Sequence, residues 1–128
     1  MSYTIDRIIT DADFAEVEAR TRKALADGGF GVLTEIDVAA TMKTKLGEDM
    51  AHYKILGACN PKLAFTAIGH EPRIGAMLPC NVILRQLDEG VEVSAVDPIA
   101  SMQAVENEGL GEVASKVKTM LEAVIAAV

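Results

Sequence analysis

The stretch Ile55-Leu56-Gly57-Ala58-Cys59-Asn60-Pro61 turns from strand to helix within two residues. Residues Tyr53 to Cys59 read as a strand with Tyr53, Ile55, Gly57 and Cys59 on one face. Asn60 is a strong helix cap, and Pro61 sets φ where a first helical residue needs it. That helix is predicted to run to about Ile68 and stop at Gly69, with a second short turn from Glu71-Pro72. Leu78 before Pro79 favours extended backbone and leads into a strand from Cys80 to Leu87. Asp88, Glu89 and Gly90 make a hairpin turn, and Val91, Val93 and Ala95 alternate with Glu92 and Ser94 in the returning strand. Asp97-Pro98 repeats the cap-and-proline signal, with Ile99, Met102 and Val105 along one side.

Upstream, Tyr3 to Ile9 is a β-branched strand, followed by a helix capped by Thr10 or Asp13. Phe14, Val17, Ala24 and Leu25 share its inner face, Glu16–Arg20 and Glu18–Arg22 pair on its outer side, and Gly28-Gly29 ends it. Phe30 to Ile36 alternates as a half-buried strand, and Asp37 caps a short helix ended by Gly47. After a break at Gly109 and Gly111 comes a last amphipathic helix, about 112–127, striped by Val113, Val117, Met120, Leu121, Val124 and Val128. The order β-α-β-α-β-α-β-β-α predicts one α+β domain over residues 1–128: two layers, a sheet of about five strands with helices mainly on one face.

At 128 residues, half of them hydrophobic, the chain is large enough for a core without disulfides or metal. A net charge of −7 repels phosphate backbones and anionic lipid, so nucleic-acid and membrane partners are not expected. No basic, apolar leader and no run of roughly 20 apolar residues is present. With two cysteines alone, a cytoplasmic protein with reduced thiols is the simplest expectation.

The cysteines are the candidate chemistry. Cys59 lies just before a helix start, where unpaired N–H groups and a positive partial charge favour a thiolate. Cys80 opens the next strand. If the two strands are antiparallel neighbours, the sulfurs meet at one end of the sheet; a parallel crossover would put them at opposite ends. Inert packing competes with function, because free cysteine often acts as a small buried hydrophobe. Met77, His70, Cys59 and Cys80 are a possible soft-metal ligand set, though no C-x-x-C or H-x₃₋₅-H spacing supports it. No phosphate-binding glycine loop, nucleophile elbow or H-E-x-x-H occurs. Glu35 and Asp37 are expected to face water, and the five aromatics, Tyr3, Phe14, Phe30, Tyr53 and Phe65, to fill the core.

Ile55 to Pro61, Leu78-Pro79-Cys80-Asn81-Val82, Asp97-Pro98, Glu35-Ile36-Asp37-Val38 and Lys45-Leu46-Gly47 together resemble the domain of unknown function 302 family, over about 3–102. The resemblance implies a small α+β domain that pairs as a homodimer, with no assigned reaction. It also directs attention to Cys59, Asn60, Pro61, Pro79, Cys80 and Asn81.

Two readings follow. In the first, the domain binds a small ligand, a soft metal or a redox species where the Cys59 and Cys80 segments meet. Cys59 is then the activated thiolate and Cys80 its partner, while Asn60 and Asn81 orient the loops. In the second, it is a homodimeric interaction domain without chemistry, its final helix leaving apolar surface for a second subunit. Acid–base enzymology is the least supported class, and the sequence names no cofactor.

Overall fold

The computed structural model describes residues 2–128. In chain order the elements are β1 (Thr4–Ile9), α1 (Phe14–Asp27), β2 (Gly31–Asp37), α2 (Val38–Leu46), β3 (Tyr53–Cys59), α3 (Pro61–His70), a 3-10 turn (Pro72–Met77), β4 (Cys80–Gln86), β5 (Val91–Val96), α4 (Pro98–Ser101) and α5 (Glu108–Ala127). This is the expected α+β order, with the Asp97-Pro98 signal realised as the single turn α4.

One sheet, ordered β1-β5-β4-β3-β2, carries the domain, and every neighbouring pair is antiparallel. Its inner face presents Leu56, Ala58, Val82, Leu84, Val93 and Ala95 to Val17 and Leu25 of α1 and to Val117, Leu121 and Val124 of α5. These residues form one buried cluster, and hydrophobic transfer is its main stabilisation. A smaller cluster of Ala67, Ile74, Met102, Leu110 and Ala114 joins α3 to α5.

Local chemistry sets the helix limits. Asp13, rather than Thr10, caps α1 by accepting from the Glu16 N–H at 2.9 Å. Asp37 caps α2, which ends where Gly47 takes the left-handed φ of 69° that glycine adopts without strain. The helix α3 continues one residue past Gly69, to His70. It stops there because Glu71, held extended before Pro72, cannot continue it.

The glycines expected to delay the last helix lie inside its first turns, and α5 starts at Glu108. Asn107 caps it by accepting from the Gly109 N–H, and donates to the His70 carbonyl at 2.8 Å. Gly109 is needed there for packing. A Cβ on it would stand 2.5 Å from His70 Nδ1, so the imidazole of α3 lies flush against the α5 backbone. His70, the last residue of α3, is exposed overall but turns its ring against Gly109. At its other end α5 is held by Arg7 of β1, whose guanidinium donates to the carbonyls of Ile125, Ala126 and Val128.

Three further expectations are corrected. The register of β2 shifts between Val32 and Thr34, so Leu33 interrupts the alternation. Val32 then lies on the inner side, while Thr34 and Ile36 lie on the outer one. Glu35 is not simply solvated: with Arg22, Glu18 and Lys54 it forms an ion-pair network between α1 and the sheet edge. Burial pushes the Glu18 carboxyl up, but Lys54 and Arg22 outweigh it and hold the carboxyl below its ordinary value. Of the aromatics, Phe30 is buried, whereas Tyr3 and Phe65 are exposed at 71% and 82%.

The α5 stripe is spent within its own chain. Val117, Leu121, Val124, Ile125 and Val128 are all buried against the sheet, so this helix leaves no free apolar face of the kind the dimer reading assumed.

Candidate functional site

The connection from β3 to β4 decides where the two sulfurs lie. Because the strands are antiparallel neighbours, the end of one lies beside the start of the other, with Ala58 opposite Cys80. Cys59 and Cys80 therefore come to the same end of the sheet, and α3 with the 3-10 turn bridges them. Both are free thiols and partly buried.

They line a cavity of about 30 Å³ between the sheet end, α3 and α5. Ala58 and Cys80 form its sheet side, Leu63 and Ala67 come from α3, and Val113 and Val117 from α5. Met102, 8% exposed, closes it from beyond α4. Apart from Asn60, the lining side chains carry hydrocarbon or sulfur only.

Asn60 organises this end. Its Oδ1 accepts from the Leu63 N–H, and its Nδ2 donates to the Gly29 carbonyl, each at 3.1 Å. It thus ties the start of α3 to the turn after α1. The Asn60 carbonyl takes the Ala64 N–H, and Pro61 has none to offer, so the helix start beside Cys59 is largely satisfied by Asn60 itself.

Burial, followed by the neighbouring Cys59 sulfur, pushes the Cys80 thiol up to about 11. At neutral pH Cys80 is a thiol. It packs on the inner face with Val82 and Leu84 and is a latent partner rather than a ready nucleophile.

The rest of the expected set is divided. The Pro79 ring lies over Gly57 on the outer face, where a Cβ on Gly57 would meet Pro79 Cγ at 2.6 Å and collide with Thr34 Oγ1. Pro61 begins α3 and is exposed; Asn81 is an exposed β4 residue paired with Gly57. Met77, 43% exposed, ends the 3-10 turn and does not line the cavity. His70 is engaged with Gly109. The four proposed soft ligands are thus not assembled, and among the described residues no group of three or more His, Cys, Asp or Glu is placed to hold a metal.

Sequence reasoning missed Met102 as a neighbour of the cysteines, because only the docking of α4 brings it there. The anchor of that docking was visible as Asp97-Pro98. The Asp97 carboxylate accepts from the Ile99 and Ala100 N–H groups and pairs with Lys118 of α5 at 2.9 Å. Burial pushes this carboxyl up, but Lys118 and the two amides outweigh it and hold it below its ordinary range.

A two-layer α+β domain with a small apolar cavity bordered by two cysteines at its sheet end is the class that fold and site define. A family model, Domain of unknown function DUF302, matches residues 7–128, and the chain belongs to that family. The match includes α5, which carries none of the quoted motifs. The crystal structure of an uncharacterized conserved DUF302 protein from Bacillus stearothermophilus is similar at 23% identity and a TM-score of 0.92, covering 99% of this chain and 98% of that one. At that identity the likeness establishes the fold alone. Comparison with curated proteins finds no match. Among the described residues no helix is long and apolar enough to cross a membrane.

Proposed function

We propose that this domain is a cytoplasmic binding module whose ligand-taking groups are the thiols of Cys59 and Cys80. The observation that carries the reading is that the residues Cys59 and Cys80 both border one small apolar cavity. Two sulfurs and almost no other polar group suit a thiophilic guest, a soft metal ion or a small sulfur or redox species, better than a charged metabolite.

The test is alkylation of the native protein across pH, with each site followed by mass spectrometry. Cys80 modification is expected to be slow near neutrality and to rise about tenfold per pH unit toward its value of about 11. Cys59 is expected to react first. If neither thiol can be modified without unfolding the protein, the cavity does not admit a guest and the reading fails.

One observation favours a second reading, a homodimer. The register sets Ile36, Ile55 and Ile83 side by side across three strands of the outer face, with Ile36 48% exposed. A second copy covering that row would bury apolar surface that α1 and α5 leave untouched. Light scattering is expected to give twice the 13.6 kDa chain mass for the native protein and a single chain mass for Ile83→Lys. A native monomer rejects this reading.

A further inference from the structure

We propose that Met102 is a gate between two compartments, and that with it swung aside they form one binding site for a slender, uncharged aliphatic molecule such as a short-chain alcohol. The inner compartment is the cavity of about 30 Å³ at the sheet end. The outer one is a groove of about 290 Å³ between the segment that follows α4 and the first turns of α5, with Gln103, Val105, Leu110 and Ser115 in its walls. Met102 and Ala114 are wall residues of both. The inner cavity is shared with the thiol reading, but nothing is asked of either sulfur, so each can fail alone.

Size argues for the joined site. Small-molecule sites run to roughly 300–1,000 Å³. The inner cavity is far below that range, and the groove only reaches its lower edge. Joined, they offer an open mouth and a buried, largely hydrocarbon end.

The barrier is a residue suited to moving. Met102, 8% exposed, packs in one cluster with Ala67, which lines the cavity, and Leu110, which lines the groove. Its backbone is pinned: the N–H donates to the Pro98 carbonyl, and the carbonyl accepts from the Val105 N–H. The side chain has three rotatable bonds and a thioether that accepts hydrogen bonds only weakly. Turning it aside therefore costs packing alone.

Gly111 is the second observation. It lies inside α5, where glycine weakens a helix. Unlike Gly109, it meets no packing demand, since a Cβ there would have nothing within 4 Å. Its missing side chain leaves the groove wall bare. A space kept open for a guest accounts for a residue that the helix itself disfavours.

Lining chemistry selects the guest. Among the described residues no charged side chain lines either compartment. Asn60 and Asn107 have committed their amides within the protein, which leaves Gln103 and Ser115 as the polar groups at the rim. An apolar chain therefore points inward past Met102, and a hydroxyl or amide head stays at the rim.

The experiment is titration of the reduced full-length protein with hexanol, followed by its amide NMR shifts. Saturable shifts are expected at Met102, Gln103, Gly111 and Ala114. Met102→Ala removes the gate. Minor conformers are populated at about 0.1–10%, so affinity should then rise about tenfold or more. Gly111→Leu fills the groove, meets no neighbour and strengthens α5, and it should weaken binding about tenfold or more. Hexanoate, with the same chain and a charged head, should bind about tenfold more weakly than hexanol.

No saturable binding by the wild-type protein overturns the site. Binding that Gly111→Leu leaves unchanged lies elsewhere and overturns it too. Equal affinity in wild type and Met102→Ala overturns the gate, and hexanoate binding as tightly as hexanol overturns the uncharged head. Met102→Val, a milder truncation, replaces Met102→Ala if that variant does not fold. The alkylation profile described above is read without hexanol and tests the thiol reading separately.

Discussion

Gly57→Ala is expected to destabilise the domain by about 2–3 kcal/mol, the upper range for overpacking a filled site. The added methyl would stand 2.6 Å from Pro79 Cγ and overlap Thr34 Oγ1. Thr34, on an exposed edge strand, can turn its hydroxyl away. Pro79 cannot, because its ring is locked in the backbone that leads into β4. Strain therefore falls on the start of β4, where Cys80 sits one residue on, so the substitution should also disturb the cavity. Chemical denaturation measures the loss, and Pro79→Ala in the same chain should recover a large part of it. Wild-type stability in Gly57→Ala would mean that Pro79 gives way and does not fix the sheet end.

A loss of stability in alkali, specific to Cys80, is expected to reach about 3 kcal/mol. Burial, then the neighbouring Cys59 sulfur, raises this thiol from 9.0 to about 11. Between those values the folded protein keeps a proton that the unfolded chain has released. Native stability from this source is thus whole below 9.0 and drains away as the pH climbs toward 11. Lysines and tyrosines titrate in the same range, so the readout is a difference. Urea unfolding of wild type and Cys80→Ala is compared well below 9.0 and near 11. The gap between the two proteins should close or reverse as pH rises, and parallel loss would show that burial does not suppress ionisation at Cys80.

Much of the fold was legible because its signals are local. Asn60-Pro61, Asp97-Pro98 and Asp37 each carry a cap chemistry that works wherever the chain goes, and all three start helices in the structure. Alternation in Val91, Val93 and Ala95 likewise gave the buried face of β5 directly.

What escaped depends on partners distant in sequence. Gly109 and Gly111 read as a break, because nothing local announces that a histidine ring from α3 fills the space beside Gly109. The alternation of β2 misled because the register shift at Leu33 inverts which side faces inward. Met77 is close to Cys80 in sequence but does not line the cavity, whereas Met102, far away in sequence, does. Cys80 is where two local rules compete. Opening a strand says nothing about exposure, and desolvation on the inner face outweighs any activation.

The pairing of β1 with β5 joins Thr4 to Val96 and Ile9 to Val91. In sequence these partners are some eighty to ninety residues apart, whereas the β4–β5 hairpin closes over a few. Loop-closure entropy therefore ranks the assembly steps: the hairpin comes early, and β1 takes its place only after the intervening chain has condensed. The Arg7 side chain rides on that late strand and reaches the final carbonyls of α5. Completing the sheet and fastening its covering helix then become a single kinetic event.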